Sequence, residues 1–444
     1  MVKVITYGTY DLLHRGHIRL LERAKALGDY LIVGITADGF DRARGKINVQ
    51  QSLMERIEAV KTTGIADEII VEEYEGQKIE DIRRLGVDIF TVGSDWKGQF
   101  DYLNEYCKVV YLDRTQGISS TDLRSNGRKI RLGLVGESNI VNKFERESHF
   151  VNGIIISGVC ARDSSLLSDD VKKLLVTTSC IEDLLDVSDA IFIVSSPLSH
   201  YKQIKIALER GVDVLCESPI TIDIDQWEEL SRIATEKGCV LMDSIKTAYS
   251  TAYYRMLLLA KTGIIGKIIS VDSVCTSMRD YSVEGEISGW NSISAWGPTA
   301  MLPIFQLLGT DYVRKDIITH LKDGEETYDL FTKVSFVFKN SMASLKVGQG
   351  VKSEGELIIS GTKGYIYVPA PWWKTDYFEV RFENPAENKR YFYHLEGEGI
   401  RYELVNFVNS IKNGEDSNYI DSEVTTAIIT VIQDYFNKRD LTLI

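Results

Sequence analysis

A turn bounded by glycines near the beginning of the sequence constrains the fold more than any other feature. Residues 2–7 predict a buried strand, and residues 18–25, apolar at 18, 20, 21 and 24, predict an amphipathic helix. The turn between them, GTYDLLHRGH at 8–17, contains His14 and His17. A spacing of three residues puts both imidazole rings on one side of the first helical turn, where amide hydrogens and the helix dipole attract phosphate. The pattern therefore predicts a phosphate site with two imidazole donors.

The same pair is also compatible with a metal-binding pair or with the start of an ordinary surface helix. The wider pattern favours the phosphate site, because residues 1 to about 125 alternate predicted strands with predicted helices. The strands are predicted at 30–36, 68–71, 89–92 and 109–112, the helices at 51–62 and 78–85, and a loop at 38–48. Such alternation predicts a doubly wound parallel sheet that binds ligands at the carboxyl ends of its strands.

Three polar motifs follow predicted strands and therefore belong to that edge of the sheet. They are GTYD at 8–11, GSDW at 93–96 and DRTQGISST at 113–121. The last motif predicts an anion nest with a helix start behind it. Lys46, in the loop sequence RGKI, is placed to neutralise developing negative charge, and a solvated loop lysine is the alternative.

Four separated blocks resemble, in order, the HxGH nucleotidyltransferase superfamily and, within it, the glycerol-3-phosphate cytidylyltransferases. They are GTYDLLHRGHIRLLERAKALGDYLIVGI, SLMERIEAV, VGSDWKGQFDYL and VVYLDRTQGISST. The resemblance implies transfer of CMP from CTP to an alditol phosphate, by default glycerol 3-phosphate, for teichoic-acid or capsule-type polymer synthesis. CTP and the alditol phosphate would be its partners, with Mg²⁺ accompanying the nucleotide.

The resemblance also implies roles for individual residues. The catalytic positions are His14, His17, Lys46 and Arg114, and both histidines would contact the triphosphate. The substrate-binding positions are Gly8, Thr9, Tyr10, Asp11, Arg56, Asp95, Trp96, Thr115, Ser119, Ser120 and Thr121. Asp11 would face the acceptor and Arg56 the triphosphate. Asp95 and Trp96 would lie where cytosine is selected, and residues 114–121 would hold phosphate oxygens.

Composition limits the classes of partner. A net charge of −13 argues against a nucleic-acid or anionic-membrane surface. No apolar run reaches membrane-spanning length and no signal peptide is recognisable, so we expect a cytoplasmic protein without a membrane partner. The six cysteines form no C-x-x-C pair and lie mostly in apolar runs, which predicts buried, reduced thiols.

A second pattern begins after the polar segment 123–128, which we interpret as a linker. Residues 129–136 predict a strand that runs into a glycine turn, and further strands are predicted at 153–160, 190–195 and 213–216. This succession is Rossmann-like. With 444 residues, two or three domains are expected. We place them at 1–126, 129–248 and 249–444, the last an α+β domain with a large open sheet and a strand-rich run at 327–368.

Residues 129–444 resemble the Gfo/Idh/MocA oxidoreductases, which join a nicotinamide-binding Rossmann half to a C-terminal α/β half. The matching segments are LERGVDVLCESPI at 208–220, Ser196-Pro197 with His200, GIIGK at 263–267 and IISGTKG at 358–364. The implied cofactor-binding positions are Gly136, Ser138, Arg162, Ser196, Pro197 and Glu217. Ala161 replaces the family's acidic ribose-binding residue with Arg162 beside it, which favours NADP over NAD. A plain surface arginine is the alternative.

The catalytic positions of that family are replaced in this sequence. Ser218 stands at its E-K-P lysine, and Ala295, Gly297 and Thr299 stand at its D-x-G-x-H motif. No obvious general acid or base remains. Lys246 and His200 are possible substitutes, although a core or surface role is favoured for each. The module is then either an NADP-dependent oxidoreductase acting on a sugar phosphate, which would be the main activity, or a non-catalytic assembly element.

An aromatic cluster follows the strand-rich run, with Trp372, Trp373, Tyr377 and Phe378. A packed interface is favoured over a sugar-stacking surface. The family uses such a sheet as a dimer face, so the resemblance implies a homodimer or a larger homo-oligomer.

Overall fold

The computed structural model describes residues 1–37, 49, 51, 53–73, 76–113, 129–174, 176–278, 290–322, 328–393, 395, 397–413 and 418–444. The chain forms two compact units, Met1–Arg128 and Lys129–Ile444. The further division of the second unit near residue 248 stays a prediction.

The first unit is built on one parallel sheet. Its strands are β1 (Lys3–Gly8), β2 (Tyr30–Thr36), β3 (Glu68–Glu72), β4 (Ile89–Gly93) and β5 (Lys108–Leu112), in the order β3-β2-β1-β4-β5. The described helices are α1 (Arg15–Lys25), α2 (Leu53–Thr62) and α3 (Gln77–Leu85). The strand order reverses at β1, and this reversal opens a crevice at the carboxyl ends of β1 and β4.

Buried aliphatic side chains cover both faces of this sheet. Leu21 and Val60 pack from α1 and α2 on one face, and Ile82 packs from α3 on the other. Neighbouring residues Val4 and Ile5 of β1 are both fully buried. A strand buried on both sides explains why the sequence reads as a nearly continuous apolar run there.

The second unit begins with a six-stranded parallel sheet. Its strands are β6 (Ile130–Val135), β7 (Ile154–Cys160), β8 (Thr177–Thr178), β9 (Ala190–Ile193), β10 (Asp213–Glu217) and β11 (Leu241–Ser244), in the order β11-β10-β9-β6-β7-β8. Its helices are α4 (Asn139–Ser148), α5 (Asp169–Lys172), α6 (Ile181–Leu185), α7 (Pro197–Glu209) and α8 (Ile224–Lys237). This is the predicted Rossmann arrangement.

A mixed nine-stranded sheet completes the second unit. Its strands are β12 (Ile268–Thr276), β13 (Arg314–Leu321), β14 (Asp329–Val337), β15 (Met342–Gly348), β16 (Leu357–Gly361), β17 (Gly364–Val368), β18 (Tyr377–Phe382), β19 (Lys389–Phe392) and β20 (Leu441–Leu443). The order is β19-β18-β17-β16-β12-β15-β14-β13-β20. The helices are α9 (Thr251–Lys261), α10 (Ser292–Leu308), α11 (Ile400–Asn413) and α12 (Ser422–Phe436).

The α/β fold class is confirmed, with two parallel sheets and one large mixed sheet. Two smaller expectations are wrong. Trp372, Trp373 and Phe378 are buried inside this chain, and the Trp372 indole N–H donates to the Val274 carbonyl at 3.1 Å, so the aromatic cluster is core and not a surface. All six cysteines are free, but only Cys216 and Cys275 are buried, because the others lie at strand and helix ends. Every helix in the described ranges is too short or too polar to traverse a bilayer.

Candidate functional site

The turn after β1 has a restricted backbone conformation. Tyr10 and Leu12 have φ angles of 54° and 48°, in the left-handed region that residues with a Cβ rarely adopt. The Tyr10 side chain is buried, which raises the pKa of its hydroxyl, and its ring lies against Gly8. A Cβ at position 8 would lie 3.0 Å from that ring, a tighter contact than most, so glycine favours this packing.

The two histidines lie side by side at the start of α1. His14 is the N-cap residue, and its Nδ1 accepts a hydrogen bond from the Gly16 N–H at 3.0 Å. A neutral His14 therefore carries its proton on Nε2. The His17 ring stacks on the His14 ring with centroids 3.9 Å apart, and Tyr10 packs edge-on against His17 at 5.5 Å. Both histidines are half-buried, so the structure brings the two predicted catalytic rings together at a helix N-terminus.

Arg56 fixes the histidine-bearing turn from α2. Its side chain has no exposed surface. Nη1 donates to the carbonyls of Thr9 and Thr36 at 2.8 and 2.9 Å, and Nε donates to the carbonyl of Gln51 at 3.1 Å. These contacts make Arg56 a positioning residue. The triphosphate contact that the resemblance implies for it stays a prediction.

Asp11 is held by Gln51, a residue that the sequence did not point to. The Gln51 backbone N–H donates to Asp11 Oδ1 at 2.9 Å, and the Leu12 N–H donates to Gln51 Oε1 at 2.7 Å. Asp11 is 2% exposed. Its predicted place beside the acceptor stays a prediction.

A buried polar network, also missed from the sequence, lies between β1, β3 and α3. Lys78 forms an ion pair with Glu72, and the Thr36 hydroxyl donates to Glu72 Oε2 at 3.0 Å. The Tyr7 hydroxyl donates to Asp81 Oδ2 at 2.9 Å, and burial together with Asp81 raises the pKa of Tyr7. Lys78 and Glu72 are 6 residues apart and Tyr7 and Asp81 are 74 apart, so these pairings have no signature in a periodic pattern.

The predicted cytosine segment follows β4 as a 3-10 turn, Ser94–Trp96, which contains Asp95. Trp96 is half-buried, and its ring lies 5.8 Å from the Phe100 ring. Lys46, Arg114, Thr115, Ser119, Ser120, Thr121 and the linker 123–128 lie outside the described residues. Their roles stay predictions.

The second unit has a cavity of about 610 Å³ at the carboxyl ends of β6, β7 and β9. Gly136, Ser138, Arg162 and Ser196 line it, which are four of the six predicted cofactor-binding residues. Gly136 has a φ of 142°, and a Cβ there would lie 2.8 Å from the Val194 side chain. The turn therefore requires glycine.

The cavity is bordered both by the positive end of a helix and by carboxylates. Ser138 caps α4 by accepting the Ile140 N–H at 3.3 Å, so the positive end of α4 borders the cavity. Glu137 and Glu182 also line the cavity, and the backbone N–H of Arg162 donates to Glu137 Oε1 at 2.6 Å. Two carboxylates therefore share the cavity lining with Arg162. Of the remaining predicted positions, Pro197 is the first residue of α7, and Glu217 ends β10 outside the cavity lining.

The candidate substitutes for the replaced catalytic groups have different environments. His200 is fully buried, with its ring nitrogens 3.0 Å from the carbonyls of Ser195 and Pro219, and burial lowers its pKa to about 4. His200 therefore has a core role, which is one of the two roles favoured for it from the sequence. Lys246 is partly exposed and pairs with Glu398 at 3.4 Å. Asp243, buried at the end of β11, has its pKa raised by burial to about 7.

In the part of the chain that the structure describes, no group of three or more His, Cys, Asp or Glu side chains is arranged to hold a metal ion. The metal-pair interpretation of His14 and His17 therefore has no third ligand there. Mg²⁺ stays a proposed companion of the nucleotide.

A parallel unit with paired histidines at a helix start, joined to a Rossmann unit, defines a nucleotidyltransferase fused to an oxidoreductase-type module. The Cytidylyltransferase-like family model matches residues 5–126, and the model of the oxidoreductase family with an NAD-binding Rossmann fold matches residues 130–244. The chain belongs to the cytidylyltransferase-like family through its first unit. Residues 130–244 of its second unit match the Rossmann domain model of the Gfo/Idh/MocA oxidoreductases.

Individual relatives agree with this assignment. The glycerol-3-phosphate cytidylyltransferase of Bacillus spizizenii is 50% identical over 126 residues, which cover 28% of this chain and 97% of the relative. The Staphylococcus aureus enzyme of the same name is 45% identical, over 28% of this chain and 93% of its own. A 3-ketoreductase from Actinomadura kijaniata, solved with NADP and TDP-benzene, has a TM-score of 0.63 at 16% identity, over 71% of this chain and 99% of its own. This last likeness shows the fold.

Proposed function

We propose that the first unit transfers CMP from CTP to glycerol 3-phosphate, giving CDP-glycerol and pyrophosphate. The stacked pair of His14 and His17 at the start of α1 carries the proposal, since it lies where a parallel sheet binds phosphates. The relative from Bacillus spizizenii, 50% identical, supports the choice of acceptor. An oxygen of the acceptor phosphate bonds to the α-phosphorus of CTP while the bond from that phosphorus to the β-phosphate oxygen breaks, and pyrophosphate leaves.

The protein contributes position and charge stabilisation in this reaction. The Nδ1 of His14 accepts a hydrogen bond from the Gly16 N–H, so His14 donates through its Nε2–H to a phosphate oxygen of CTP as negative charge moves toward pyrophosphate. Arg56 and Gln51 hold the turn so that both imidazoles keep their places. Lys46, Arg114 and residues 115–121 are proposed to bind the remaining phosphate oxygens, and Mg²⁺ to arrive with CTP.

The test uses the full chain with CTP and a panel of alditol phosphates, with detection of pyrophosphate and of the CDP-alditol. We expect glycerol 3-phosphate to give the highest kcat/KM. A higher kcat/KM with another alditol phosphate would identify that compound as the acceptor, and the proposed transfer of CMP would stand. No pyrophosphate release with any acceptor would overturn the proposal.

A second candidate function belongs to the Rossmann unit, and the cavity bordered by the N-terminus of α4 supports it. We propose that Gly136, Ser138 and Ser196 hold the pyrophosphate of a nicotinamide dinucleotide, and that Arg162 selects NADP. Such a cofactor supplies a hydride to the carbonyl carbon of a keto-sugar phosphate, while the carbonyl oxygen takes up a proton. The product alditol phosphate would feed the first unit.

Calorimetric titration of the full chain with NADPH and NADH tests binding, and the absorbance of NADPH in the presence of keto-sugar phosphates tests turnover. Binding without turnover identifies a non-catalytic module, because Ser218, Ala295, Gly297 and Thr299 replace the family's catalytic residues. The absence of dinucleotide binding would overturn the candidate.

We also propose a cytoplasmic homo-oligomer that supplies teichoic-acid or capsule-type polymer synthesis. The six free cysteines support a reducing compartment. Apolar residues exposed on strands of the mixed sheet support association through that sheet, among them Ile318, Val337 and Met342 at 41%, 40% and 57% exposure. Sedimentation analysis of the full chain, with Met342→Lys as the disrupting variant, tests the oligomer.

A further inference from the structure

Three lysines from separate parts of the second unit converge on one carboxylate. Lys143 lies in α4, Lys246 in the 3-10 turn after β11, and Lys374 at the end of the turn Trp372–Lys374. Their Nζ atoms lie 3.1, 3.4 and 2.9 Å, respectively, from the same oxygen, Oε2 of Glu398. No sequence motif predicts this lysine cluster, because every two of its three lysines are more than a hundred residues apart in the chain.

The lysine cluster has an excess of positive charge. Three ammonium groups face one carboxylate, so these four side chains together carry a net charge of +2. The neighbouring Arg401 and Glu147 neutralise each other at 2.9 Å. Glu403, close to Lys246, has its pKa raised by burial, which disfavours its charged form. One carboxylate therefore does not satisfy three ammonium groups held within a few ångströms of one another.

Solvent reaches every member of the cluster. The side chains of Lys143, Lys246 and Lys374 are 31%, 32% and 34% exposed, and that of Glu398 is 36% exposed. A closed structural ion pair in the same unit is different, because Lys315 and Asp434 are each 5% exposed. The lysine cluster is thus open to a ligand from solution.

The segment that carries Glu398 has an unusual backbone conformation. Gly397, Glu398 and Gly399 have φ angles of 57°, 54° and 92°, all in the left-handed region. That region is unfavourable for glutamate and ordinary for glycine. The two glycines therefore allow backbone rotation that removes the carboxylate from the lysines.

We propose that Lys143, Lys246 and Lys374 form a binding site for a phosphate monoester dianion, and that this ligand displaces the carboxylate of Glu398. A phosphate dianion offers three oxygens and two charges, so it matches three ammonium donors better than one carboxylate does. The cluster lies at the same edge of the parallel sheet as the dinucleotide cavity, since α4 and the turn of Lys246 both follow the carboxyl ends of strands. The proposal does not depend on CMP transfer by the first unit.

The test measures binding of inorganic phosphate and of glucose 6-phosphate to the full chain by calorimetry. Glu398→Gln removes the competing charge and is expected to raise the affinity for both probes about tenfold. Lys374→Met is expected to lower it by about the same factor. The ester is expected to bind at least as tightly as inorganic phosphate. The first unit is identical in all variants, so differences between them report on the second unit.

Matched controls come from another partly exposed pair, Lys205 and Glu229, whose side chains are 32% and 34% exposed. Glu229→Gln and Lys205→Met are expected to leave phosphate binding at the wild-type level. The proposal is overturned if Glu398→Gln behaves like Glu229→Gln, or if Lys374→Met behaves like Lys205→Met. Should Glu398→Gln fail to fold, the comparison of the two lysine variants decides alone. Weaker binding of the ester than of inorganic phosphate would also overturn the proposal.

Discussion

At the scale of single residues, the contacts of His14 and His17 show how the two imidazole rings are oriented at the start of α1. The His14 Nδ1 is used as a cap and its ring supports His17, so both rings are oriented before substrate binds. We expect His17→Ala to lower kcat for CMP transfer by roughly 10²- to 10³-fold, because one donor to the developing charge is lost. Steady-state pyrophosphate release measures this effect. His149→Ala, at an exposed histidine of the second unit, is the control.

The melting temperature of the first unit in the His17→Ala variant tests whether His17 has a catalytic or a structural role. The variant is expected to unfold within a few degrees of the wild type, since His17 is only half-buried. Near wild-type turnover in the presence of CTP and the preferred acceptor would remove His17 from the catalytic residues.

Asp243 gives a second prediction at this scale, on the dependence of stability on pH. Its pKa is raised by burial from 3.8 to about 7, so the folded protein keeps the proton that the unfolded chain loses. The free energy of unfolding is therefore expected to fall as pH rises through that interval, by on the order of 4 kcal/mol from this group. Asp243→Asn should make the free energy of unfolding depend less on pH between 3.8 and about 7, as measured by urea titrations. An unchanged decline would show that Asp243 is ionised in the folded state.

Asp186→Asn is the matched control, because Asp186 is 74% exposed in its pair with Arg210. The control should retain the full dependence on pH. Glu403 is also buried with a raised pKa, and its contribution remains in both variants.

At the scale of elements, one side chain of α2 joins three segments of the first unit. The guanidinium of Arg56 satisfies the carbonyls of Thr9, Thr36 and Gln51 without exposure to solvent. Arg56→Met leaves those carbonyls without this donor, and we expect a loss of about 3 kcal/mol in the free energy of unfolding of the first unit. Chemical denaturation monitored in the full chain measures it. Arg19→Met, at an exposed position of α1, should change stability by less than about 0.5 kcal/mol; an equal loss in both variants would contradict the positioning role.

The elements themselves were largely predictable, whereas their side-chain partnerships were not. The strands β1, β2, β4 and β9 follow from apolar runs, because local periodicity reflects burial. The histidine pair was also predictable, because both of its members lie in one short turn of the sequence. The Arg56 carbonyl contacts, the burial of Trp372 and the lysines around Glu398 depend on residues brought together from distant segments. A single sequence carries no periodic signal for such contacts, so they required the three-dimensional structure.

At the scale of the whole molecule, two compact units with separate sheets and separate apolar cores share one chain. An apolar core that lies entirely within one unit allows that unit to unfold cooperatively by itself. The two proposed sites also belong to different units, one at the start of α1 and the other beside α4. Ligands of each site should then stabilise one unit only, since a ligand adds stability to the folded state that binds it.

We therefore expect two unfolding transitions of the full chain in scanning calorimetry. CTP at about 100 times its Kd should stabilise the first unit by about 2.7 kcal/mol, and NADPH should do the same for the second. Each ligand should raise the midpoint of its own transition by a few degrees and leave the other unchanged. His17→Ala should at most reduce the shift caused by CTP and should retain the shift caused by NADPH, which assigns the transitions. A single transition raised by both ligands would show instead that the units unfold together, and the fused chain would then behave as one cooperative body.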